Sequence, residues 1–77
     1  MAVGFVLISA APGEEQHVYA ALQRVPEITE LHPLFGEYDL IAKIESSDYE
    51  ALGAIVVNGI RSITGVTDTK TLTGTKF

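Results

Sequence analysis

Gly36-Glu37-Tyr38-Asp39 interrupts an apolar stretch, "LFGEYDLIAKIE", and holds the residue types in this chain best suited to small-molecule chemistry. Gly36 allows a close backbone approach or a positive φ that larger residues resist. Exposed N–H groups in such a loop receive a carboxylate, and a nearby aspartate receives an ammonium. Together those two groups describe an α-amino acid. Tyr38 can wall a pocket or offer its hydroxyl. The competing reading is local: Gly36 turns the chain and Asp39 bonds a neighbouring backbone N–H in an Asx-type turn. On turn chemistry alone the local reading is preferred.

Other chemistry is poorly represented. Ser9, Ser46, Ser47 and Ser62 have no base recognisable in sequence, although a triad is a spatial arrangement that one sequence does not exclude. His17 reads as a flanking helix residue, and His32 as a strand or loop residue beside Pro33. Glu37 and Asp39 offer an acid/base pair only in principle. No cofactor is implied. With no cysteine and only two histidines, a closed structural zinc site is not expected, nor are the two thiolates of a copper chaperone. An arginine cradle of acylphosphatase type is missing from "AAPGEEQH", and Gly13 alone makes no phosphate loop. RNA recognition wants stacking aromatics on the central strands, where Phe5 stands alone. The sequence is read as non-enzymatic.

These residues need a scaffold, and 77 residues supply a single small domain. A chain this short buries only about 60–65% of its unfolded surface, so its own core gives marginal stability. Disulfides are impossible, which leaves association as the usual aid. A net charge of −5 disfavours direct nucleic-acid binding. The apolar runs "VGFVLISAA" and "AIVVNGI" are far shorter than the roughly 18 residues of a membrane span. The N-terminus also lacks the basic start of a signal peptide. A cytoplasmic protein without membrane partners is expected.

Residues 2–10, "AVGFVLISA", read as a strand ended by Pro12-Gly13. From Glu14 the spacing of Val18, Ala21, Leu22 and Val25 predicts a helix. Glu14 and Glu15 at its start and Arg24 near its end suit the helix dipole, and Pro26 stops it. Residues 27–35 read as a second strand whose far end Pro33 demotes to an edge or irregular position. Residues 40–45, "LIAKIE", form a third. A second helix runs through "SSDYEALGAIVVNGIRSI", with Ser47 and Glu50 as a capping box. Leu52, Ile55, Val56, Ile60 and Ile63 share its inner face. Gly53 and Gly59 each cost that helix about 1 kcal/mol relative to Ala, and Gly65 is a natural stop. In "VTDTKTLTGTKF", Thr67, Thr69, Thr71, Thr73 and Thr75 alternate, so one face of a last strand is a threonine ladder.

The order β-α-β-β-α-β predicts an α+β, ferredoxin-like sandwich, a four-stranded antiparallel sheet with both helices on one face. The sheet's open face should then be polar if it meets water. The first strand disobeys, because Val3, Phe5 and Leu7 on one side and Val6 and Ile8 on the other are all apolar. A second chain covering that face explains the pattern better than a merely central strand.

Three stretches, "VGFVLI", "VPEITELHPLFGEYDLIAKI" and "IRSITGVTDTKTLT", together resemble the effector-binding (RAM) module of the Lrp/AsnC feast/famine transcription regulators over nearly the whole chain. The resemblance implies dimers formed through the sheets, larger rings that are often octamers, and amino-acid effectors held at the glycine-to-aspartate loop. Carried onto this sequence, it implies a site at Gly36, Tyr38 and Asp39, with Leu34, Phe35 and Glu37 as the adjacent wall. It also implies Thr71 as a contribution from a neighbouring subunit. Family members carry an N-terminal helix-turn-helix domain, whereas here the module starts at residue 2, so a stand-alone single-domain version over residues 1–77 is expected. Such a version would sense amino acids or co-assemble with full-length relatives. Two rival readings stay open: a dimeric α+β barrel enzyme using His32 or Glu37, and an adaptor that binds no small molecule.

Overall fold

The computed structural model describes residues 1–74. It contains β1 (Ala2–Ala10), α1 (Glu15–Leu22), β2 (Ile28–Pro33), β3 (Leu40–Ser46), α2 (Tyr49–Ala54) with a π-helical continuation Ile55–Ile60, and β4 (Val66–Thr73). The strands form one antiparallel sheet in the order β2-β3-β1-β4, with β2 and β4 at the edges. This is the expected ferredoxin-like α+β fold. Pro33, which has no N–H to give a ladder, is the last residue of an edge strand.

Alternation in the strands decides what the helices cover. Val6 and Ile8 of β1 pair with Ala42 and Leu40 of β3, and these four join Ile44 on the inner face, all buried. Val18 and Leu22 of α1, and Leu52, Val56 and Ile60 of the second helical stretch, close over them. No polar side chain is buried among the described residues. Stability therefore rests on apolar burial, with fully buried side chains contributing about 1.5–3 kcal/mol each.

The second helical stretch departs from the expectation of one α-helix. Leu52, Val56 and Ile60 recur every four residues, which outruns a turn of about 3.6 residues. Beyond Ala54 the helix widens, and Arg61 N donates to Val56 O across five residues at 2.8 Å. Widening keeps those three side chains over the sheet. Its start is corrected too: Asp48, in extended conformation, is the N-cap and its carboxylate accepts from Ala51 N at 2.7 Å. Ser47 and Glu50 thus do not form the cap. Likewise α1 ends at Leu22, so Arg24 and Val25 lie beyond it, although Val25 N still donates to Leu22 O.

Gly65, with φ +103°, turns the chain into β4 where a Cβ would sit 3.0 Å from Val18 Cγ2. Just beyond it, a bulge opposite Ser9 and Ala10 displaces Thr67, whose hydroxyl donates to Ser9 O at 3.2 Å. Thr69, Thr71 and Thr73 then pair with Ile8, Val6 and Gly4 and share the inner, helix-side face of this edge strand. Thr75 of the expected ladder lies outside the described residues. On the open face, Val3, Phe5 and Leu7 sit among Ile41, Lys43 and Glu45 of β3 and Lys70 and Leu72 of β4. Phe5 and Leu72, directly paired, are 41% and 47% exposed. Among the described residues no helix is long and apolar enough to cross a membrane.

Candidate functional site

Pro33 and Leu40 are register partners, so the six residues between them are forced into a protruding loop. Leu34 N donates to Asp39 O at 2.8 Å and closes its base. Gly36 takes φ +141°, a conformation that side chains resist, with no atom within 4 Å of where a Cβ would be. The N–H groups of Phe35, Gly36, Glu37 and Tyr38 make no hydrogen bond within the described residues. Four consecutive donors are therefore without a partner among the described residues, and such donors can receive a carboxylate.

Asp39 is anchored twice. Its N–H donates to Ile8 O at 2.9 Å, and its Oδ2 accepts from Ala10 N at 2.8 Å. The Asx-type alternative is half right: the carboxylate does bond a backbone N–H, but one 29 residues away on β1. That bond fixes the carboxylate at the wall of a cleft of about 300 Å³ between α1 and the loop. The cleft is mainly apolar, walled by Tyr19, Pro33, Leu34 and Leu40, with Asp39, Glu15 and Gln16 at its polar side. Two carboxylates and no basic side chain line it, so it favours a cationic group beside an apolar body.

The structure thus brings Leu34 and Asp39 together on one cleft. Phe35 stands out in solvent at 107% of its reference exposure, and Glu37 is exposed beside it. Tyr38 is half-buried and Gly36 exposed. Within one chain Thr71 stands apart from them, as a residue contributed to a neighbouring subunit's site would. It lines a separate groove of about 370 Å³ between the π-helical segment and β4. Glu15, Gln16 and Tyr19 were not expected at the site. Tyr19 follows the buried Val18 and is itself partly buried at the edge of the core, and nothing in the sequence marks it as a cleft wall.

The catalytic candidates are scattered. His32 lies on the open face of β2, its Nε2 3.3 Å from Glu30 Oε1, and Lys43 Nζ stands 3.5 Å from Glu30 Oε2. The Glu30 carboxyl is held below its ordinary value, chiefly by the His32 contact and then by the Lys43 charge. Glu37 belongs to the loop and is not part of this cluster. No group of three His, Asp or Glu residues suited to a metal ion occurs among the described residues.

Comparison with known proteins agrees with this architecture. The model of the Lrp/AsnC ligand binding domain matches residues 3–75. An uncharacterized HTH-type transcriptional regulator of Pyrococcus horikoshii is 35% identical over 71 residues, covering 88% of this chain and 47% of its own length. The HTH-type transcriptional regulator FL11 of Pyrococcus furiosus is 33% identical over 70 residues, covering 91% and 46%. The chain spans about half the length of these relatives. A Thermus thermophilus crystal structure superposes with a TM-score of 0.92 at 34% identity, covering 100% of this chain and 96% of the other. A Neisseria meningitidis transcriptional regulator solved as a complex with L-Met shares the fold, with a TM-score of 0.86 at 22% identity, covering 97% of this chain and 50% of the other.

Proposed function

The chain belongs to the Lrp/AsnC ligand-binding domain family, and from that premise we propose that it is a non-catalytic module sensing an amino acid in transcriptional control. One observation carries this reading: residues 35–38, whose N–H groups are unpaired, are bracketed by Leu34 and Asp39, and these two line a cleft with a carboxylate and apolar walls. An α-amino acid has the complementary groups. Its carboxylate meets the loop donors, its ammonium meets Asp39, and its side chain enters the space between Tyr19, Leu34 and Leu40. The L-Met complex of the Neisseria meningitidis regulator supports this class of ligand, as do the HTH-type regulators among the relatives.

The loop is open on one side, and an exposed Phe35 beside it suits burial against another subunit. The exposed apolar pair at the middle of the sheet's open face favours a dimer through Phe5 and Leu72, and the loop then joins dimers into larger assemblies. A ligand shared across that junction stabilises the assembled state by mass action, so assembly follows metabolite level. A net charge of −5 supports a reading in which this domain does not itself contact DNA.

Calorimetry of the chain against each proteinogenic amino acid, combined with light scattering, tests this. Saturable binding that enlarges the particle is expected. A monomer that binds none of them overturns the reading.

A further inference from the structure

The groove between the π-helical segment and β4 is larger than the Asp39 cleft and has a chemistry opposite to it. Val56 and Val66 are the apolar residues of a lining that is otherwise polar. Arg61, the first residue after the π turn, stands at its wall, and its guanidinium forms no ion pair with any described residue. Thr69 and Thr71 face the groove from β4, because their partners Ile8 and Val6 point to the helix side. Neither threonine hydroxyl has a hydrogen-bond partner among the described residues, whereas that of Thr67 is taken by Ser9 O. Asp68 reaches the groove as well, but it pairs with Ser9, so its side chain belongs to the opposite face of the sheet.

An unpaired guanidinium, two free hydroxyls and two valines, with the Asp68 carboxylate placed by register on the other face of the sheet, suit an anion with a small aliphatic body. At about 370 Å³ the groove lies near the lower end of ordinary small-molecule pockets, about 300–1,000 Å³. An amino acid is disfavoured, since its ammonium would face Arg61 without a compensating acidic group. A 2-oxo acid carries no ammonium. Its carboxylate accepts two parallel bonds from the guanidinium, its oxo oxygen accepts from a threonine hydroxyl, and its branched body rests on the valines. We propose that the Arg61–Thr69–Thr71 groove is a second ligand site, separate from the Asp39 cleft, that binds a short-chain 2-oxo acid.

The test is a two-dimensional amide NMR titration of the full chain with 2-oxoisovalerate, repeated with L-valine and with inorganic phosphate. Expected are saturable shifts at Arg61, Thr69 and Thr71, weaker by at least about tenfold in Arg61→Gln. Arg61 is exposed, so Arg61→Gln should melt at the wild-type temperature and keep any L-Met binding at the Asp39 cleft. Thr69→Val, a second variant, should weaken 2-oxoisovalerate without altering L-Met. No saturable shift at concentrations on the order of 10 mM overturns the site. So do equal affinities for L-valine or phosphate at the same residues, or shifts that Arg61→Gln leaves unchanged. Failure of L-Met to bind would count against the Asp39 reading and leave this one standing.

Discussion

Asp39 Oδ2 accepts the backbone N–H of Ala10 at 2.8 Å, tying the β2–β3 loop to the end of the central strand β1. The bond gives one carboxylate two duties, because it fixes the loop and presents negative charge to the cleft. The duties separate by mutation. Asp39→Ala leaves the Ala10 N–H unpaired and should cost about 1–3 kcal/mol in urea denaturation. Asp39→Asn keeps an oxygen acceptor and should stay within about 1 kcal/mol of wild type, yet lose at least about tenfold in amino-acid affinity by calorimetry. Equal ligand affinity in Asp39→Asn and wild type would remove the ammonium role.

The double anchoring of Asp39 was not legible in sequence, because its partner lies 29 residues away and only the pairing of β1 with β3 brings it near. Local patterns fared better. Period-two alternation gave the faces of β1 and, from Thr69 onward, of β4, and Pro33 marked an edge. The failures have physical causes. Asp48 won the cap from Ser47 because its carboxylate reaches Ala51 N from an extended backbone. The second helix widened because core packing overrode weak propensities at Val56, Val57, Asn58 and Gly59. Thr71 is no such failure: it sits on the far side of β1 from its own chain's loop-bearing strands, which fits the expected contribution to a neighbouring subunit's site. Tyr19 was missed because a helix residue beside the core stripe carries no sign of which loop packs over it.

Gly36 and Gly65 both have positive φ, but their surroundings differ. A Cβ at Gly36 meets open space, whereas one at Gly65 would sit 3.0 Å from Val18 Cγ2 and 3.1 Å from Glu14 Cβ. Gly36→Ala should therefore cost only the backbone strain, about 1–3 kcal/mol. Gly65→Ala adds a collision with a fully buried valine and should be the more destabilising of the two. Thermal melts of the pair check the order, and a milder Gly65→Ala would contradict the packing of α1 against the start of β4.

Glu30 has its carboxyl pKa held below the ordinary value of 4.5 by His32 and Lys43 on the open face. A depressed carboxylate stabilises the folded chain fully above its unfolded pKa, and the contribution disappears as pH falls through the folded value. Wild type should thus exceed Glu30→Gln in urea midpoint by a small constant margin above about pH 4.5, with the margin vanishing on further acidification. Urea titrations across that range measure it. A margin that widens in acid would show that the cluster does not act through the Glu30 charge.

Phe5 and Leu72 pair directly across β1 and β4, half-exposed at the middle of a sheet face that the helices leave open. Aromatic anchors at the centre of an interface carry a disproportionate share of its energy, about 2 kcal/mol or more each. If two sheets pack face to face, Phe5→Glu puts a charge into that centre and should raise the dimer dissociation constant by at least about thirtyfold. The inner core faces the other way, so the variant monomer should keep its circular dichroism spectrum. Lys70→Ala, a charged neighbour on the same face, should change the constant far less. Sedimentation equilibrium on the three proteins decides the matter. An unchanged dimer in Phe5→Glu would move the interface off this face, and a monomeric wild type would remove it altogether.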